Sequence, residues 1–191
     1  MSANCAGTNN GVCTMRLFVG LGLLSSGLAF PATVQAQEIY SGTSFHGVDT
    51  PLTLKTGERG SDVQAGIRSS PIEGLKPIGS PSAYLHGQVS LNGNTSLVAA
   101  GLSWKFGEQF YVRPGIGLAL HNDKIKEFRA DGQRLDLGSR VLFAPEVAMG
   151  VKLSTRTAFE VSWIHVSNAT LLSRQNPGLD FIGARLVFAL K

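Results

Sequence analysis

Apolar and polar residues alternate along most of the chain after residue 36, and no long apolar run remains there. Period two sends successive side chains to opposite faces of a strand, so the pattern demands sheets with two unlike faces. Val98, Ala100, Leu102, Trp104 and Phe106 share one face. Phe110, Val112, Pro114, Ile116, Leu118 and Leu120 form the apolar face of the next strand, and Gly107-Glu108-Gln109 between them makes a tight hairpin. The second strand's other face carries Tyr111, Arg113, Gly115, Gly117, Ala119 and His121. An Arg among glycines suits a narrow polar barrel interior better than a dry sandwich core.

The same alternation recurs elsewhere. Val63, Ala65 and Ile67 alternate with Asp62, Gln64 and Arg68. Leu85, Val89 and Leu91 alternate with Tyr84, His86, Gln88 and Ser90, ahead of a hairpin turn at Asn92-Gly93-Asn94. Val141, Phe143, Pro145, Val147, Met149 and Val151 are apolar, against Arg140, Glu146 and Lys152. About eight segments result, near 38–47, 61–70, 82–92, 95–106, 109–121, 139–153, 156–168 and 180–190. An even number of strands of this length predicts an all-β fold, an eight-stranded antiparallel outer-membrane β-barrel. Closure removes the sheet edges that lipid cannot tolerate. Residues 122–138, polar and Gly-containing, read as an extracellular loop. The ending Gly183-Ala184-Arg185-Leu186-Val187-Phe188 resembles the sorting signal of bacterial outer-membrane proteins, although the chain stops on Lys191.

The first 36 residues stand apart. Arg16, an apolar run from Leu17 to Phe30 and Pro31-Ala32-Thr33-Val34-Gln35-Ala36 have the order of a secretory signal peptide. The run is short for a helix that must cross about 30 Å of hydrocarbon. The expected division is residues 1–36, an N-terminal extension and signal peptide cleaved after Ala36, and residues 37–191, the barrel. Residues before Met15 fit no part of a signal, which marks Met15 as the expected start. Both cysteines, Cys5 and Cys13, precede the cleavage site. Disulfides, thiol nucleophiles and cysteine metal ligands are therefore excluded from the expected mature protein. Net charge is a mild +4, without a basic cluster interleaved with aromatics, so nucleic acid is excluded as a partner. No cofactor motif and no metal-ligand spacing appears. His46, His86 and His121 are read as polar lumen or rim residues. Glu146 and Glu160 share inward parity with Arg113, Arg140, Lys152 and Arg185, which predicts a lumenal charge network.

One segment breaks the alternation rule in an informative way. Phe159, Val161 and Trp163 have lipid-facing parity, and His165 and Ser167 continue that parity. On the last strand, Asp180 is in phase with apolar Ile182, Ala184, Leu186 and Phe188. Groups of this kind are costly against lipid, and such a cost marks function. Antiparallel pairing of the two strands brings a carboxylate, an imidazole and a hydroxyl to one rim. That is the set a serine nucleophile requires: a base to take its proton and an acid to orient the base. Asn168 follows, with an amide and nearby N–H groups to stabilise an oxyanion.

His165-Val166-Ser167-Asn168-Ala169, followed by Asn176-Pro177-Gly178-Leu179-Asp180, resembles the active-site stretch of the lipid A 3-O-deacylase (acyloxyacyl hydrolase) family, H-x-S-N-A and then N-x-G-[apolar]-E. The resemblance implies Ser167 as nucleophile, His165 as base, Asp180 as acid, Asn168 in the oxyanion site and Asn176 supporting the loop. It implies a carboxylic ester hydrolase acting on the 3-O-linked acyl chain of lipid A. The expected partners are lipid A or lipopolysaccharide as substrate and outer-membrane lipid around the wall; a homodimer is compatible with the pattern. Lys124, Lys126, Arg129 and Arg174 are loop cations for lipid A phosphates. The chain departs from the family in having Asp180, one methylene shorter than Glu, and a 170–175 loop one residue longer than in some members. Two rival readings stay open at this point. A non-catalytic barrel of structural or adhesive role predicts a lipid A profile indifferent to Ser167→Ala. A secreted β-sandwich predicts extraction without detergent.

Overall fold

The computed structural model describes residues 36–53, 57–123, 137–172, 174 and 176–190. Residues 1–35 of the expected signal peptide, with both cysteines, and Lys124, Lys126 and Arg129 lie outside the described residues. Ten strand segments follow one another: β1 (Ala36–His46), β2 (Gly60–Pro71), β3 (Ser82–Ser90), β4 (Leu97–Ser103), β5 (Phe106–Gly107), β6 (Phe110–His121), β7 (Val141–Phe143), β8 (Glu146–Lys152), β9 (Thr157–Val166) and β10 (Leu179–Ala189). A 3-10 turn spans Glu73–Ile78, between β2 and β3.

Every pairing is antiparallel, in the order β4-β3-β2-β1-β10-β9-β8-β6, and β4 pairs with β6 to close the ring. Segments β4 and β5 form one wall strand and β7 and β8 another, so the closed sheet is the expected eight-stranded barrel. Proline explains both interruptions. The Trp104 amide donates to the Pro114 carbonyl at 2.9 Å, but Pro114 has no N–H to return. Pro145 likewise separates β7 from β8. The partner register nevertheless runs through, from Leu118↔Phe143 to Gly115↔Glu146, so parity is kept.

The wall is turned as the alternation requires. Val98, Phe110, Val112, Ile116, Leu118, Leu120, Val147, Met149, Phe159 and Val161 are exposed on the outside. Inside, Tyr40, Tyr84 and Tyr111 are buried. A Cβ on Gly66, Gly117 or Gly150 would collide with their phenol ends at 2.2–2.3 Å. Glycine abundance thus makes room for tyrosines in a lumen only just wide enough for side chains.

At the centre of that lumen Glu160 accepts from Arg68 at 3.0 Å, Arg185 Nε at 2.7 Å and Tyr111 Oη at 2.9 Å. Arg185 also binds Glu146, and Arg113 reaches Glu38 at 2.9 Å and Glu160 at 3.4 Å. Arg68 and Arg185 each lie 4.4 Å from the Tyr40 ring centre. The expected charge network is present but differently staffed: Arg140 and Lys152 are exposed at strand ends, while Arg68 and Glu38 take part. Arg140 sits before β7 and turns to the His121 carbonyl at 3.3 Å, and Lys152 is the last residue of β8.

Candidate active site

Segments 47–59, 91–96, 122–140 and 167–178 connect strands at one end of the barrel. The other end carries the 3-10 turn, two tight hairpins, and the described chain ends near Ala36 and Ala189. In outer-membrane barrels the long loops are extracellular and the short turns periplasmic. The ends of β9 and β10 that meet segment 167–178 therefore lie at the outer-leaflet rim.

Register places Asp180 directly opposite His165. Directly opposed residues share a face, and their side chains meet. Asp180 Oδ1 accepts from His165 Nδ1 at 2.7 Å. An imidazole donating from Nδ1 keeps its lone pair on Nε2, the tautomer a general base needs. Asp180 is fully buried, and burial of a carboxylate is tolerable only with donors around it. Trp163 Nε1 donates to Oδ1 at 3.0 Å, and the Thr50 hydroxyl donates to Oδ2. The Val48 amide also donates to the Asp180 carbonyl, at 3.0 Å.

Ser167 follows β9 and exchanges two backbone hydrogen bonds with Phe143, at 2.7 and 3.1 Å. It is 7% exposed. Among the described residues its hydroxyl makes no hydrogen bond to His165; serine–histidine contacts of this kind commonly tighten only with substrate in place.

Asn168, fully buried, folds the chain behind Ser167. Its amide N–H donates to Asn176 Oδ1 at 2.9 Å, its Nδ2 to the Leu137 carbonyl at 2.8 Å, and its Oδ1 accepts from the Thr170 amide at 2.8 Å. Leu171 closes the turn onto the Asn168 carbonyl at 3.0 Å, with Ala169 and Thr170 at φ +52° and +58°. Two consecutive non-glycine residues in the left-handed region are strained, and strain of this kind gathers at functional sites. Gly178, at φ +67°, lies over the imidazole: a Cβ there would stand 2.9 Å from His165 Cε1.

Thr50, Trp163 and Gly178 are the site's neighbours that sequence reasoning missed. Trp163 was legible in part, because a wall indole N–H seeks a partner. Thr50 offers no local signal, being 130 residues from Asp180.

Inside the same rim, His46 contacts Asp62 at 2.9 Å and Glu58 at 2.8 Å, and the Thr95 amide also donates to Glu58. Burial pushes the Glu58 carboxyl up, but the hydrogen bonds from His46 and Thr95 outweigh it and hold the group below its ordinary value. His86 bridges Tyr40 and Gln88, and His121 binds the Ser139 carbonyl. All three histidines are thus lumen or rim residues.

A family model described as lipid A 3-O-deacylase (PagL) matches residues 62–189, more than half of the chain. The chain belongs to the PagL family. The crystal structure of the outer-membrane enzyme PagL superposes with a TM-score of 0.54 at 14% identity, over 80% of this chain and 99% of that one. Neisserial surface protein A gives 0.48 at 9% identity over 80% and 96%, and the Yersinia pestis outer-membrane protein Ail 0.43 at 12% over 81% and 100%. No curated protein matches the chain in sequence. The chain is an outer-membrane β-barrel, and the PagL-family match contains His165, Ser167, Asn168, Asn176 and Asp180. Thr50 lies before it. Below the rim, on the outer wall, Thr43, Phe45, Val161, Ile182 and Ala184 line an open groove of about 380 Å³. Ile182 is the next outward residue after Asp180 on β10.

Proposed function

We propose that this protein is a serine esterase that removes the 3-O-linked acyl chain of lipid A in the outer leaflet. The observation that carries the reading is the His165–Asp180 pair, 2.7 Å apart on a wall that otherwise faces lipid, with Ser167 at the same parity. Ser167 Oγ attacks the ester carbonyl while His165 Nε2 takes its proton. The tetrahedral intermediate collapses, the acyl–oxygen bond breaks, and the imidazolium returns the proton to the sugar 3-oxygen. Water, deprotonated by the same imidazole, then attacks the acyl-serine; the fatty acid leaves and the imidazolium returns the proton to Ser167 Oγ. Asp180 orients the ring and stabilises its charged form throughout. Asn168 and Asn176 fix the turn after the nucleophile, where the amides of Ser167, Asn168, Thr170 and Leu171 already have acceptors and the Ala169 N–H is the donor for the oxyanion; one such donor contributes roughly 2.7–4 kcal/mol.

The location supports the substrate. A lateral site at the rim receives an acyl chain already in the membrane, and the groove beside Ile182 offers it an apolar bed. Arg174, exposed in the 167–178 segment, is a cation for a lipid A phosphate. The test is the detergent-folded protein with purified lipopolysaccharide, following free fatty acid. Wild type is expected to release it, and His165→Asn to lose nearly all release. Equal release by both proteins would refute the assignment.

A further inference from the structure

We propose that Thr50 and Trp163 are positioning residues for the reaction, clamping the Asp180 carboxylate so that the shorter acid holds His165 in line. The inference rests on the reading of Asp180 as the acid. Its two oxygens are used differently. Oδ1 receives His165 Nδ1 at 2.7 Å and Trp163 Nε1 at 3.0 Å, while Oδ2 receives Thr50. Each carboxylate oxygen is therefore held by a group other than the imidazole. Rotation about the Asp180 side chain would break a bond to one or the other.

Thr50 is itself held. The Leu52 amide donates to its Oγ1 at 3.1 Å, so the hydroxyl's single proton is left for Asp180. The Thr50 amide donates to Thr53 Oγ1 and the Thr53 amide to the Thr50 carbonyl, each at 3.2 Å, and the Val48 amide anchors the segment to the Asp180 carbonyl at 3.0 Å. The first extracellular segment thus docks on Asp180 by backbone and by side chain. Trp163 stands two residues before His165 on β9, with its ring on the lipid side and its N–H turned to the acid. A glutamate would bring its carboxylate forward by one methylene. In this chain the clamp fixes where the aspartate ends.

The experiment measures deacylation of lipopolysaccharide by the full chain folded in detergent, for Thr50→Val, Thr50→Ser, Trp163→Phe, Asp180→Ala, Thr50→Val with Asp180→Ala, and Ser167→Ala. Hydrogen bonds to charged groups lead to an expected fall in kcat of roughly ten- to a hundredfold for Thr50→Val, with KM little changed. Trp163→Phe is expected to behave alike and Thr50→Ser to recover most of the rate. In the Asp180→Ala background Thr50→Val should cost nothing further, because a residue acting through Asp180 has nothing left to position. Heat-modifiable gel mobility reports whether each barrel has closed, and Trp163→Phe carries the test should Thr50→Val fail to close. Wild-type kcat in Thr50→Val, or in Trp163→Phe where that variant carries the test, would overturn the clamp, as would an equal loss from Thr50→Val with and without Asp180. Full activity of Ser167→Ala would instead overturn the esterase reading beneath it.

Discussion

Asp180 gathers the site's physical demands onto one residue. A carboxylate with no exposure, on a face given to lipid, must be paired or hydrogen-bonded to remain charged, and His165, Trp163 and Thr50 do this. The charged form is what orients and stabilises an imidazolium. Asp180→Asn keeps the shape but puts an amide where an acceptor is needed, favouring the wrong imidazole tautomer. Initial rates on lipopolysaccharide are expected to fall by about 10⁴-fold, with heat-modifiable mobility unchanged. At this scale the sequence was readable where residues lie near one another along strands. Parity alone put His165, Ser167 and Asp180 on one face, because two strand positions apart means one side. Thr50 escaped, since a loop hydroxyl acquires its partner only when the ring closes. Asn168 was read as a source of oxyanion donors. In the folded chain its side chain turns to the Leu137 carbonyl and the Thr170 amide and shapes the turn.

The β9–β10 hairpin and segment 167–178 form the element that converts a strand pair into a site. Register sets His165 opposite Asp180, and the segment then returns over the imidazole through Pro177 and Gly178. Gly178 meets two requirements at once: a left-handed backbone, and the absence of a Cβ beside His165 Cε1. Gly178→Ala is therefore expected to displace the ring and lower kcat by at least tenfold, or about 1.4 kcal/mol. Thermal unfolding in detergent should shift only slightly, because the segment lies beyond the wall. An unchanged rate would show that the imidazole is not held from above. Strand identities were legible because alternation persists across both proline breaks. The breaks themselves were not, since Pro114 and Pro145 keep the parity of their strands while removing donors from the ladder. Nor was the 3-10 turn at Glu73–Ile78, a stretch without period.

Across the whole molecule, the lumen supports the wall that carries the site. Glu38, Glu146 and Glu160 face Arg68, Arg113 and Arg185, three carboxylates against three guanidiniums. Glu160, fully buried, is the member shared by all three arginines. A buried pair adds little net stability against an apolar replacement, but removing one partner strands the other. Glu160→Gln is expected to cost roughly 3–5 kcal/mol, read as a lower unfolding temperature in detergent. It should leave the rim chemistry of the protein that remains folded intact. This network was legible as inward parity of opposite charges. Its membership was not, because Arg140 and Lys152 sit at strand ends where solvent competes for them. Barrel and rim carry the proposal that the outer wall performs ester hydrolysis on lipid in place. The most direct test is mass spectrometry of lipid A from cells expressing wild type or Ser167→Ala at equal outer-membrane levels. Loss of one 3-O-linked acyl chain is expected with wild type and intact lipid A with the variant. The same loss with both, or with neither, would contradict it.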